Sequence, residues 1–89
     1  MSWKVRITKK ASKEMKRISI KDAKRLLFIL EEFTKDPYQG NIKKIKGEND
    51  VWRRRFGNYR ILYEVIPNKK HIYIFQICRR TTNTYQRRK

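Results

Sequence analysis

Acidic residues are scarce in this chain: 8 Asp and Glu stand against 25 Lys and Arg in 89 residues, a formal charge of +17. A chain so charged repels itself until a polyanion or an acidic partner relieves the repulsion. Cysteine occurs once, as Cys78, which excludes a disulfide framework and a CxxC redox or zinc pair and leaves a small buried or half-buried hydrophobe. No apolar run approaches the roughly 18 residues of a transmembrane helix, so no membrane span is expected. Met1-Ser2-Trp3-Lys4-Val5-Arg6 lacks the apolar h-region of a signal peptide, and a cytoplasmic location is the expectation. The lone histidine, His71, follows Lys70 at the start of a strand-like run, where a surface role fits better than catalysis. The few carboxylates are scattered, with no pair at metal-like spacing, and the chain has no Gly-rich phosphate loop. No metal and no cofactor are expected.

What is abundant is positive charge, and three partner classes fit it: nucleic acid, an anionic membrane surface, or an acidic protein. A membrane binder wants one helix with a basic face and a broad apolar face. Here the charge is spread over the whole chain, and from Val65 to Lys89 there is no acid at all. Nucleic acid is the default partner.

A chain of this length makes one small domain, residues 1–89, that buries only about 60% of its unfolded surface. Trp3 to Thr8 alternates apolar and basic residues, as a half-buried strand does. Thr8 suits the N-cap of a short helix bearing Ala11, Met15 and Ile18, with Lys9, Lys10, Lys13, Lys16 and Arg17 opposite. Ser19 and Asp22 have the spacing of a capping signal before a second helix, whose apolar face is read as Ala23, Leu26, Leu27, Leu30 and Phe33. Asp36-Pro37 stops it. Asn41 to Lys46 reads as a weak edge strand guarded by lysine, then Val51–Phe56 and Tyr59–Ile66 as a hairpin, then His71–Cys78 as a central apolar strand. The basic end, 86–89, is expected to fray. The order β-α-α-β-β-β-β predicts an α+β domain, with both N-terminal helices on one face of a mainly antiparallel, twisted sheet.

The hairpin carries the chemistry. Gly57 and Asn58 suit a two-residue turn, which pairs Phe56 with Tyr59 and sets Arg55 directly opposite Arg60. Like charges so placed destabilise a sheet, so the pair reads as an anion holder. Alternation puts Arg53, Arg55 and Arg60, with Leu62 and Glu64, on one face, and Trp52, Tyr59, Ile61, Tyr63 and Val65 on the helix side. Arg54 falls among the latter and is expected to snorkel outward past Trp52. If Ile66 pairs with His71, Arg79 lies opposite Asn58 and joins Arg55 and Arg60 around one concave spot, with Tyr85 six residues on. Guanidinium forks suit phosphate, and a phenol can stack on a base. The plain alternative is a solvated arginine face.

Lys43-Lys44-Ile45-Lys46-Gly47, then Val51-Trp52-Arg53-Arg54-Arg55-Phe56-Gly57-Asn58-Tyr59-Arg60-Ile61-Leu62-Tyr63, then Cys78-Arg79-Arg80 with Tyr85, resemble the RelE/ParE superfamily of toxin–antitoxin toxins over essentially the whole chain. The likeness is to the RelE-like branch, whose members cleave mRNA in the ribosomal A site. It implies attack by a 2′-hydroxyl on the adjacent phosphate, with Arg53, Arg55, Arg60, Arg79 and Tyr85 as catalytic residues and no metal. Lys43, Lys44, Lys46, Arg54 and Arg80 would contact RNA. Implied partners are mRNA, the ribosome and an acidic antitoxin, the last in a heterotetramer. The best-known RelE pattern has lysines at the places of Arg53 and Arg55, and arginine is a poor general base. That leaves Lys44 or Lys46 as base, or none. Two other readings stay open: a ParE-like inhibitor of DNA gyrase acting by binding, and a non-catalytic RNA-binding module.

Overall fold

Two hydroxyl caps start the helices. Thr8 and Ser19 hold extended backbone, and each side-chain oxygen accepts from the amide three residues on, Ala11 N and Asp22 N, both at 3.2 Å. In the computed structural model, which describes residues 2–79, these caps open α1 (Lys9–Met15) and α2 (Ile20–Lys35). The strands are β1 (Lys4–Ile7), β2 (Ile42–Lys44), β3 (Val51–Phe56), β4 (Tyr59–Ile66) and β5 (His71–Arg79), with a 3-10 turn at Pro67–Lys69. The expected element order therefore stands, and the fold is α+β.

One five-stranded sheet runs β1-β5-β4-β3-β2. Only β1 pairs in parallel, with β5; the other three pairings are antiparallel. Both helices lie on one face. There Ala11, Leu26, Ile29 and Phe33 meet Phe56, Tyr59, Ile61, Tyr63, Val65, Ile72, Ile74 and Ile77 in the core. Leu27 departs from the sequence reading: it is 59% exposed, because α2 can turn only one side to so small a sheet and Leu26, Ile29 and Phe33 take it.

β1 ends at Ile7, so β5 has no strand neighbour on that side beyond Ile74. α1 covers the gap, and the Ile77 amide donates to Glu14 Oε1 at 2.7 Å. This carboxylate satisfies a donor that the sheet leaves over.

The loop after α2 is tied to the sheet by Tyr63. Its hydroxyl donates to the Pro37 carbonyl at 2.6 Å, and its ring packs 4.5 Å from that of Phe33. Tyr63→Phe leaves that buried carbonyl without its donor and should cost about 1–3 kcal/mol, read as a lower urea midpoint. Burial also pushes the Tyr63 phenol well above the usual tyrosine value, against the opposing pull of Arg54. A phenol held protonated by the fold contributes stability that is lost as pH rises past its unfolded value of about 10. The wild type should accordingly lose stability above that pH by a margin that Tyr63→Phe lacks.

Candidate functional site

The hairpin register places the arginines. Phe56 pairs with Tyr59 and Arg55 with Arg60, joined by a turn in which Gly57 alone takes positive φ, +54°. Asn58 is not at positive φ, so the turn is of the II′ kind rather than I′. Directly opposed residues share a face. The face away from the helices therefore presents Arg55 beside Arg60 and Arg53 beside Leu62, with Lys43 of β2 opposite Arg53. All three arginines are half-buried, and the inner nitrogen Nε of Arg55 is buried with no hydrogen-bond partner. Leu62 and Val51 are buried on this face although they lie outside the helix-side core.

Arg79 is the main correction. Ile66 does pair with His71, but Leu62 pairs with Gln76 and Tyr63 with Ile74, so Phe75 is an extra residue on β5. That bulge moves Arg79 opposite Tyr59 instead of Asn58, and one residue of shift turns a side chain to the other face. Arg79 is exposed at the sheet's end, its guanidinium 6.0 Å from the Tyr59 ring centroid. Arg55, Arg60 and Arg79 do not converge on one face. Cys78 instead of Ile77 lies directly opposite Arg60.

Arg54 is the second correction. It points inward, not past Trp52: Nη2 meets Glu32 Oε1 of α2 at 2.9 Å and Nη1 donates to the Gln39 carbonyl at 3.2 Å, leaving the side chain 12% exposed. Gly40, at φ +92°, makes room for it, since a Cβ there would fall 2.6 Å from the guanidinium carbon. Arg54 is a strut between sheet and helix rather than part of the open face.

Lys43 belongs to the arginine face, Lys44 to the other, opposite Trp52, and Lys46 to the loop beyond β2. A shallow depression of about 800 Å³ runs along these lysines and includes Glu48. Tyr85, Arg80 and the 86–89 tail lie outside the described residues. Gln76 and Cys78 are the neighbours that strand alternation missed, because the bulge that turns them to this face carries no glycine or proline to announce it. Chemically, the face concentrates guanidinium groups, whose planar forks suit phosphate.

The sequence matches, over residues 5–83, the family described as ParE toxin of type II toxin-antitoxin system, parDE. It is 30% identical over 83 residues to a protein of Methanocaldococcus jannaschii provisionally named toxin RelE1, covering 90% of this chain and 92% of that one. Among solved structures, a chain of the archaeal RelE–RelB complex from Pyrococcus horikoshii superposes with a TM-score of 0.82 at 25% identity, over 93% of this chain and 100% of that one. A chain of the RelB–RelE antitoxin–toxin complex from Methanococcus jannaschii gives 0.72 at 31% identity, over 83% and 88%.

Proposed function

This chain belongs to the RelE/ParE family of toxins of toxin–antitoxin systems, and on that premise we propose that it is a ribosome-dependent endoribonuclease that cuts mRNA in the A site. The observation that carries the reading is the Arg55/Arg60 pair, set directly opposite on the helix-free face with Arg53 alongside. Guanidinium groups opposed on an open face suit a ligand of opposite charge, and phosphate fits their forks.

In the proposed reaction the 2′-hydroxyl of one nucleotide gives up its proton and its oxygen bonds to the adjacent phosphorus. The P–O5′ bond breaks, and O5′ takes a proton. The products are a 2′,3′-cyclic phosphate and a 5′-hydroxyl. Arg55 and Arg60 hold the non-bridging oxygens and meet the charge that grows on them, and Arg53 steers the flanking phosphate. Arg79 reaches the leaving side from the end of the sheet, and Tyr85 stacks on a base or passes the proton. Of the two candidate bases, Lys44 stands on the other face of the sheet, which leaves Lys46 in the loop beyond β2. Catalysis here is chiefly positioning and charge stabilisation. The cognate antitoxin, an acidic protein, silences the toxin by covering and neutralising its surface.

A second reading, inhibition of DNA gyrase by binding alone, is favoured by the ParE description of the matching family. A translation extract with a defined mRNA, read by primer extension, separates the two. Ribosome-dependent, codon-spaced cuts support cleavage. An intact message together with inhibited supercoiling assigns the gyrase role instead.

A further inference from the structure

The helix-free face does not end at the arginines. On the other side of the bulge the register brings β1, β5 and β4 into a second row, with Arg6 beside Tyr73 and Tyr73 directly opposite Glu64. These side chains share the face of Arg55 and Arg60, because Glu64 follows Arg60 by four residues on β4 and strand side chains repeat every two. The two rows are roughly 13 Å apart, at about 3.3 Å per residue. The next row out pairs Lys4 with His71.

Tyr73 is half-buried, and the His71 ring meets its ring edge-on, at 6.1 Å and 85°. That contact favours one orientation of the phenol. Arg6 and Lys4 are exposed beside the two rings, and Glu64 is half-buried. Among the described residues that pair on this face, Glu64 is the one acid. The row thus makes three chemical offers. The ring presents a π-face to any base, and the Arg6 guanidinium suits phosphate. The carboxylate only accepts, so it favours a base edge that carries an amino group over one that carries a carbonyl. An acidic peptide or an anionic membrane would meet Glu64 as a like charge and leave the ring unused.

We propose that Tyr73 is a nucleobase platform for single-stranded RNA, that Arg6 holds the phosphate of the stacked nucleotide, and that Glu64 selects bases with an exocyclic amino group over uracil. The inference rests on the reading of Arg55 and Arg60 as an RNA phosphate seat, and it extends that seat from gripping a backbone to choosing a sequence. The two are continuous: a strand anchored at Arg55 and Arg60 passes over the buried Leu62 to reach Tyr73. Strand-borne aromatics on an open sheet are a recurrent way of stacking unpaired RNA bases.

The test is fluorescence anisotropy of the full chain with labelled oligonucleotides of about six nucleotides, within the site sizes of small single-strand binders. One is all cytidine and the other all uridine, which differ by an amino group where uracil has a carbonyl. At about 0.15 M salt, where distant charges are screened, the wild type should bind the cytidine oligonucleotide roughly tenfold more tightly, as for one hydrogen bond to a charged group. Tyr73→Leu keeps apolar volume without a π-face and should weaken both by roughly tenfold, whereas Tyr73→Phe should bind like wild type. Glu64→Gln should bring the two affinities together, because an amide donates as well as accepts. Arg60→Ala should weaken both equally and keep their ratio. Equal affinity of the wild type for the two oligonucleotides, or no binding of either, would overturn the proposal. So would a Tyr73→Leu protein that binds like wild type, or a Tyr73→Phe protein as weak as Tyr73→Leu. Discrimination by a protein that leaves message intact in the translation extract would sink the cleavage reading alone. Codon-spaced cutting by a protein that does not discriminate would sink this subsite alone.

Discussion

Arg60→Ala is expected to slow ribosome-dependent cleavage by roughly 100- to 1,000-fold, the loss that follows removal of one donor to a developing oxyanion. Stability should move the other way or hardly at all. Arg60 faces Arg55 directly, and relieving a like-charge cross-strand pair returns about 0.2–1 kcal/mol. Against this stands the loss of an arginine stem beside the buried Leu62, so the melting temperature should stay within a few degrees. Arg60→Lys keeps the charge but loses the fork and should fall between the two. Arg79→Ala should cost less, about tenfold, since its guanidinium stands over Tyr59 at the end of the sheet and not beside Arg60. Primer extension at matched protein concentrations, with thermal melts of each variant, reads all of these. If Arg79→Ala is dead while Arg60→Ala cuts like wild type, the phosphate seat is not on the arginine face.

The parts of this fold legible in the sequence are those fixed by neighbours. Thr8 and Ser19 announce their helices through local capping, and Gly57-Asn58 fixes the hairpin register, and with it Arg55 against Arg60, over a span of a few residues. What stayed hidden depends on distant pairings. The bulge at Phe75 lies inside an unbroken apolar and aromatic run, where periodicity continues to predict simple alternation, and that single extra residue moves Arg79 to the other face. Leu27 looked like core because the apolar face of α2 is wider than the sheet can cover, and only packing decides which residues are left out. Arg54 was misread because its partner, Glu32, is 22 residues away, and no local pattern links a strand arginine to a helix acid at that distance.

Arg54→Ala should accordingly behave as a stability variant and not as an RNA-binding one. The substitution removes the ion pair to Glu32, the bond to the Gln39 carbonyl and the packed stem between β3 and α2. Glu32 is 33% exposed and recovers part of its hydration, which keeps the cost below that of a fully buried pair. A loss of about 2–3 kcal/mol follows, since breaking a buried pair from one side costs more than its net worth. For a domain of this size each kcal/mol moves the melting temperature by roughly 4–8 °C. Glu32→Ala tests the same strut from the other end: it strands a guanidinium that is only 12% exposed, so it should be nearly as harmful, whereas Glu32→Gln keeps an acceptor and should cost about 1 kcal/mol. Gly40→Ala attacks the strut through a Cβ pressed onto the guanidinium and also strains a backbone at positive φ, so on top of Arg54→Ala it should add only the backbone part, because the clash is gone. Measured well below its melting temperature, Arg54→Ala should bind RNA and cut message within a few-fold of wild type. An Arg54→Ala protein that melts like wild type yet loses RNA binding would remove the strut from this account and return Arg54 to the nucleic-acid surface.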